Sequence, residues 1–322
     1  MYYSVVIPLY NKENHIQRAI NSVLNQTIQD FELIIVDDGS TDGSFEVANA
    51  IQDPRIRIIR QENRGVSAAR NRGIMEAKHD WVAFLDADDE WLPGFLEEII
   101  NLRSRFPECS VAATGYYLLN PNGVILLNNL GFSVQIGWRG IIENYAAFSI
   151  RSIPFNSSSF AATKNAIIKA GMYSEDVTRS EDLSLYLLLS TREVISYAYT
   201  PLSIYHLEAE NRSWVGFTPI ETHVTKVGKE ILGSLEVTHE FKQYLYEELV
   251  RRELIRVREL LHRGKRAEAL GVLNFCDQSE DYSETVKKLR KWSRAPYFLY
   301  RLLYSIKYRV KILLKHLNEA DH

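Results

Sequence analysis

Phe31-Glu-Leu-Ile-Ile-Val-Asp-Asp-Gly-Ser-Thr-Asp-Gly43 is the stretch on which the fold class turns. A run that is apolar except for Glu32 ends abruptly in two carboxylates and a cluster of turn formers. Continuous apolar runs of this length suit strands covered on both faces, which are the strands of parallel sheets. Ser40, Thr41 or Asp42 can cap the helix that follows. The same arrangement recurs on either side. Upstream, Ser4-Val-Val-Ile7 is a strand ended by Pro8. A helix is expected from about Asn14, with Ile16, Ala19, Ile20, Val23 and Leu24 on one face. Downstream, Arg55 to Ile59 alternates as a third strand and Gly65 to Ala77 reads as a helix. Trp81 to Leu85 is a fourth strand ending in Asp86-Ala-Asp-Asp89, and Pro93 takes the first place of a helix through Leu102. This alternation predicts an α/β fold with a Rossmann-like, mostly parallel central sheet flanked by helices.

The acidic clusters all fall at the carboxyl ends of strands, where open α/β sheets bind ligands. Asp37 and Asp38 are therefore expected near Asp86 and Asp88. No Gly-x-Gly-x-x-Gly follows the first strand and no Gly-x4-Gly-Lys-Ser/Thr occurs, which excludes the common dinucleotide and P-loop phosphate cradles. Asp86-x-Asp88 offers oxygen ligands suited to Mn²⁺ or Mg²⁺, although an isolated Asp-x-Asp more often caps a helix. Asp37 and Asp38 suit a tight turn equally well, or hydrogen bonding to a nucleobase or ribose.

Five ordered segments carry a resemblance: Val5-Val-Ile-Pro-Leu-Tyr-Asn11, Ser22-Val-Leu-Asn-Gln26, Ile35-Val-Asp-Asp-Gly-Ser-Thr-Asp42, Asn63-Arg-Gly-Val-Ser-Ala-Ala-Arg-Asn71 and Phe84-Leu-Asp-Ala-Asp-Asp89. Together they resemble glycosyltransferase family 2 of the bacterial surface-glycan type, whose enzymes have the GT-A fold. The resemblance implies that Pro8, Leu9, Tyr10 and Asp38 contact a nucleoside, usually uridine, with Asp37 sharing that role. It places Arg70 and Asn71 beside the nucleotide, and Asp86 and Ala87 at the ribose and metal-bound water. Asp88 is the implied direct ligand of Mn²⁺ or Mg²⁺.

Farther on, Val111 to Leu119 is a strand, and Asn120-Pro-Asn-Gly123 is a hairpin turn into Val124 to Leu127. Trp138, Tyr145, Phe148 and Phe155 fit either a core or a sugar-stacking surface. Pro154-Phe-Asn-Ser-Ser-Ser159 is similar to the family's segment near the acceptor. Ser180-Glu-Asp-Leu-Ser-Leu-Tyr186 matches the family's Glu-Asp element at a helix start, with Leu183, Tyr186, Leu187 and Ser190 expected toward the core. Inverting transfer needs a carboxylate to take the acceptor proton. The resemblance gives that role to Asp182, with Glu181 as its orienting partner; the plain alternative is that both acids complement the positive end of a helix. Ser196 to Tyr205 is a closing strand, and His206 after it would complete the metal site in some related enzymes. No Gln-x-x-Arg-Trp follows the Glu-Asp element, which weighs against a processive polysaccharide synthase.

The 322 residues carry 38 Lys/Arg against 41 Asp/Glu, a net of -3, so nucleic-acid binding is not expected. That balance is uneven. Ten of the Lys/Arg and no acid lie between Val286 and Lys315, leaving 28 basic against 41 acidic residues elsewhere. The expected division is a GT-A catalytic domain over residues 1–215 and a helical C-terminal region over 216–322. In the latter, Phe241, Leu245, Leu249, Leu254, Val257 and Leu261 mark one face, and His262 to Lys265 forms a break before Ala267 to Phe275. The cations and aromatics of residues 287–315 fit peripheral contact with an anionic membrane, a helix docked on the catalytic domain, or a homodimer. No run reaches the roughly 18 to 20 apolar residues of a membrane span, and no secretory leader is visible. Cys109 and Cys276 fit neither a disulfide framework nor zinc spacing and read as inert thiols in a reducing compartment. The expectation is a cytoplasmic enzyme, peripheral on the inner membrane's cytoplasmic face. It would use a UDP-sugar donor and a glycan or lipid-linked saccharide acceptor. A sugar nucleotidyltransferase would want a glycine-rich basic loop where Pro8 to Asn14 stands, and a non-catalytic scaffold on this fold should have lost the acids.

Overall fold

The computed structural model describes residues 2–128, 134–149, 153–177, 180–208 and 222–295. In chain order these form β1 (Tyr3–Leu9), α1 (Ile16–Leu24), β2 (Phe31–Asp37), α2 (Ser44–Ala50), β3 (Ile56–Arg60), α3 (Val66–Glu76), β4 (Trp81–Phe84), β5 (Glu90–Trp91) and α4 (Phe95–Arg105). Then follow β6 (Val111–Leu119), β7 (Ile125–Leu127), β8 (Arg139–Ile142), α5 (Tyr145–Ser149), β9 (Phe160–Thr163), α6 (Lys164–Lys169), α7 (Glu181–Ser190) and β10 (Ile195–His206). The helices α8 (His223–Gly233), α9 (His239–His262), α10 (Arg266–Phe275) and α11 (Ser283–Arg294) complete the described chain.

One sheet runs in the order β3-β2-β1-β4-β9-β6-β10-β5, with β7 on β6 and β8 on β10. β1 lies parallel to β2 and β4, β2 to β3, and β6 to β10. β9 is antiparallel to both β4 and β6, so β6 and β10 point the same way as the first four strands. Their carboxyl ends therefore share one edge. Every residue of β1 is buried, as a strand covered on both faces requires. Tyr3, Val5, Ile7 and Leu9 pack with Ile16 and Ile20 of α1 and Phe95 and Ile99 of α4. Val6 faces the other side, with Ala69 and Ile74 of α3 and Leu185, Tyr186 and Leu189 of α7. Alternation of side chains along a strand accounts for the two cores. α3 can approach β1 closely because position 73 is glycine; a Cβ there would lie 2.3 Å from Val6 Cγ1.

Three local expectations need correction. Pro8 does not end the first strand: β1 continues to Leu9, paired with Asp37, and the Leu9 carbonyl accepts the Asp38 amide at 2.8 Å. The β1–β4 pairing ends at Val6 with Phe84, so at Pro8 the strand is paired with β2 alone and behaves as an edge, where a missing donor is tolerated. Pro93 lies two residues before α4 rather than inside it. In α7 the buried residues are Ser184, Leu185, Tyr186, Leu187 and Leu189, while Leu183 and Ser190 are only partly covered. That helix is apolar nearly all round, so periodicity does not define a single face.

Two compact units divide the chain: Met1–Val215 with Ser234–Phe241, and Gly216–Gly233 with Lys242–His322. In the second, Leu254, Val257 and Leu261 pack with Ala269 and Leu273 of α10 and Val286 and Leu289 of α11. Gly264, at φ 76, breaks the chain between α9 and α10. Both thiols are buried, and burial pushes Cys109 up to about 11 and Cys276 up to about 12. Of the basic stretch, residues up to 295 are described and the remainder of 287–315 lies outside the described residues. Among the described residues no helix is long and apolar enough to cross a membrane.

Candidate active site

The shared edge begins with two loops stitched together. Ser40 Oγ accepts the Asn11 amide at 3.1 Å and Ser44 Oγ accepts the Lys12 amide at 2.7 Å. In return Asn11 Oδ1 accepts the Thr41 amide and Glu13 Oε2 the Gly43 amide, both at 2.8 Å. Asn11, at φ 49, takes the left-handed conformation this tight junction needs. Beside it Tyr10 is 45% exposed, whereas Leu9 is wholly within the core and offers the crevice only its main chain.

Asp37 and Asp38 are both buried but have different partners. Asp37 accepts from the Ser40 amide at 3.1 Å and from Arg60 Nε at 2.9 Å, closing its own turn. Asp38 reaches across to the loop before α3, where its oxygens accept Gln61 Nε2 at 2.7 Å, the Arg64 amide at 3.0 Å and the Gly65 amide at 2.7 Å. Asp38 thus fixes the start of the helix that carries Arg70 and Asn71. The amide of Asn71 brackets the Tyr173 main chain, donating to its carbonyl at 2.8 Å and accepting its N–H at 3.0 Å.

At the end of β4, Asp86, Asp88 and Asp89 stand in different surroundings. Asp86 accepts Arg70 Nη2 at 2.7 Å. Asp88 pairs with Lys12 Nζ at 2.8 Å, and the Asp88 carbonyl accepts from Arg18. Asp89 is wholly buried; desolvation, then the charges of Asp88 and Asp86, push its carboxyl far above the usual range. Ser158 holds this loop from beneath, accepting the Asp86 amide at 3.1 Å and donating to Asp89. The 154–159 segment therefore supports the Asp-x-Asp loop directly. Asp86 and Asp88 present carboxylate oxygens of the kind a divalent cation takes, each paired here with a cationic side chain, Arg70 and Lys12.

His206 is placed differently from a third ligand of that group. Its ring nitrogens lie 2.8 Å from Glu90 and 2.8 Å from Glu208, and its amide donates to Asp89 at 3.2 Å. Both ring nitrogens are thus engaged by the carboxylates of Glu90 and Glu208 rather than by Asp88. Among the described residues no three His, Cys, Asp or Glu side chains are grouped closely enough to hold a metal by themselves.

Across the edge, α7 begins with Glu181 and Asp182, preceded by Ser180 at φ 61. Glu181 accepts Arg70 Nη1 at 3.1 Å, so one guanidinium joins it to Asp86. Asp182 accepts the Leu183 amide at 2.7 Å. Desolvation, then the Glu181 charge, raises its carboxyl to about 6, against the opposing pull of Arg70. A carboxyl poised there is half ionised near pH 6 and mostly ionised at neutral pH, as a proton acceptor in catalysis should be. Sequence reasoning did not find Lys12, Arg18 or Tyr173 in this site, and it placed Ser158 only within a segment near the acceptor. None of them belongs to an acidic or strand-end motif, and only the folded loops bring them in.

A sequence model of "Glycosyl transferase family 2" matches residues 4–172. The chain is similar to glycosyltransferase GlyA of Streptococcus pneumoniae, 35% identical over 45% of this chain and 21% of GlyA. It is also similar to glycosyltransferase GlyG of the same organism, 33% identical over 53% of this chain and 58% of GlyG. The aligned stretches thus span less than two thirds of these relatives' own length. Among solved structures, S. aureus TarS 1-349 in complex with UDP-GlcNAc superposes with a TM-score of 0.69 at 17% identity, covering 91% of this chain and 87% of that one. That likeness is one of fold.

Proposed function

The chain belongs to glycosyltransferase family 2, and from that premise we propose that it transfers a sugar from a UDP-sugar, with inversion, to a hydroxyl of a glycan or lipid-linked oligosaccharide. One observation carries the reading: Asp182, with its carboxyl raised to about 6, lies in the same acidic cluster as the strand-end pair Asp86 and Asp88. In the reaction the acceptor oxygen forms a bond to the anomeric carbon as that carbon's bond to the diphosphate oxygen breaks. The leaving nucleotide keeps the electron pair, and Asp182 takes the hydroxyl proton. Glu181 orients the base. Pro8, Leu9 main chain, Tyr10, Asp37, Asp38, Asp86 and Ala87 line the nucleoside side. Asp88 and Asp86 would hold Mn²⁺ or Mg²⁺, which when bound supplies positive charge against the diphosphate.

The UDP-GlcNAc bound by TarS makes that donor the first to test. Thermal stabilisation in Mn²⁺ across UDP-, GDP- and ADP-sugars should single out UDP compounds. Equal stabilisation by purine sugars would overturn the donor class. Pyrophosphate release from UTP and a sugar 1-phosphate would instead favour a nucleotidyltransferase.

The basic stretch is proposed to touch an anionic membrane, on the support of Lys287, Lys288 and Lys291, all exposed on α11. Cutting the chain before α11 would strip Val286 and Leu289 from a core, so the test should be charge reversal in the full chain. Replacing the three lysines by glutamate should abolish flotation with phosphatidylglycerol vesicles, at roughly 1 kcal/mol per cation. Unchanged flotation would contradict membrane contact by α11, and loss of a dimer instead would assign the face to a second copy.

A further inference from the structure

Among the described residues the deepest cation of the catalytic unit is Arg70, 3% exposed in the middle of α3. Its two terminal nitrogens do not point to a common partner. Nη2 meets Asp86 at 2.7 Å, at the end of β4, and Nη1 meets Glu181 at 3.1 Å, on the first turn of α7. Those carboxylates are 95 residues apart in sequence and serve opposite sides of the proposed transfer. The ring of Tyr173 closes the guanidinium from a third direction, 5.1 Å from its centre, and Asn71 pins the Tyr173 main chain from the same helix. Among the described residues Arg70 Nε has no hydrogen-bond partner. With Nη1 and Nη2 each held by a carboxylate and Nε buried, the guanidinium is enclosed by the fold, although its place in the sequence resembles that of a nucleotide contact.

We infer that Arg70 is a positioning residue: its buried, forked guanidinium locks the donor-side acid Asp86 to the Glu181–Asp182 turn, so that the two halves of the site move as one body. The planar fork is what allows one side chain to hold two carboxylates at fixed angles; lysine, a point charge, cannot. The same cation biases the base. Asp182 is faced by Glu181 on its own helix, Arg70 from α3, Asp86 after β4, Tyr116 from β6, Tyr173 after α6 and Tyr186 from α7. Of these only Arg70 favours the ionised form. The pH argument rests on the reading of Asp182 as base; the locking argument does not.

The experiment compares Arg70→Gln, Arg70→Lys and Glu181→Gln in the full chain. Amide hydrogen exchange should quicken by about tenfold or more, together, in residues 85–89 and in the first turn of α7 in Arg70→Gln. The acidic limb of the single-turnover rate should rise by about one pH unit in Arg70→Gln. In Glu181→Gln, which removes a like charge, it should fall. Arg70→Lys should restore part of the limb but not the joint protection. UDP affinity, measured by calorimetry, should stay within about threefold in all three. Exchange that quickens on one side only overturns the lock. A large loss of UDP affinity with unmoved exchange makes Arg70 a nucleotide contact instead. If Arg70→Gln does not fold, the opposite limb shift and joint exchange in Glu181→Gln decide the matter. A wild-type profile with no limb near pH 6 refutes the base assignment alone, and exchange still judges the lock.

Discussion

The acids on the two sides of the sheet's carboxyl edge are treated in opposite ways. On the β1–β4 side, Asp38 is saturated with donors: three hydrogen bonds from Gln61, Arg64 and Gly65 hold it to the loop before α3. On the α7 side, Asp182 accepts the neighbouring Leu183 amide, and desolvation, then the charge of half-buried Glu181, raises its carboxyl to about 6. The first arrangement builds a rigid rim; the second leaves a proton acceptor only partly compensated, by Arg70 and the Leu183 amide. Binding groups can be satisfied before the ligand arrives, whereas a base must stay short of partners to have an affinity for a proton.

Removing the base should break this contrast most severely. Asp182→Asn should cut turnover at saturating donor by roughly 10²- to 10⁴-fold while UDP affinity holds. The same change should raise the melting temperature at pH 7 to 8. With a folded value near 6 against the ordinary aspartate value of 3.8, the native state keeps a proton between those pH values that the unfolded chain has lost. Stability therefore falls as pH climbs through that window, and the penalty persists above it; asparagine abolishes it. A melting temperature that drops at pH 8 would show that the charge is compensated in the fold. Asp88→Ala should come next, lowering the rate by about 100-fold or more and removing Mn²⁺ binding, as followed by electron paramagnetic resonance of the free ion. Rate and Mn²⁺ affinity both unmoved would place the cation elsewhere.

Asp38→Ala sharpens the other side. It should raise the donor KM by about tenfold with kcat little changed, because the rim loosens while the base is untouched. A fall in kcat of equal size would mean that the rim also serves the reacting atoms. The smallest effect on chemistry belongs to Gly73→Ala. With its Cβ 2.3 Å from Val6 Cγ1, it should cost about 1 to 3 kcal/mol of stability by denaturant titration, with per-molecule activity kept.

The fold was readable where the chain is locally repetitive. The apolar run of β2 ending in Asp37 and Asp38, and the matching end of β4 at Asp86, announce parallel strands with a polar edge. Strand order across β9 was not readable, since Phe160–Thr163 has no feature that reveals its antiparallel insertion between β4 and β6. The acids were found through motifs, but their partners were not. Lys12 reaches Asp88 across 76 residues and Glu181 reaches Arg70 across 111, and no periodicity encodes such pairings. His206 shows the reverse hazard. Its position after a closing strand fits a ligand, yet the folded chain turns both of its nitrogens to Glu90 and Glu208.

The most direct test of the Asp182 assignment is the pH dependence of single-turnover transfer at saturating UDP-sugar. The rate should rise with pH through a single ionisation near 6 and then level off, since Asp182 accepts a proton only once it has lost its own. A rate that is flat from pH 5 to 8 with chemistry shown to be limiting would contradict the assignment of Asp182 as the base.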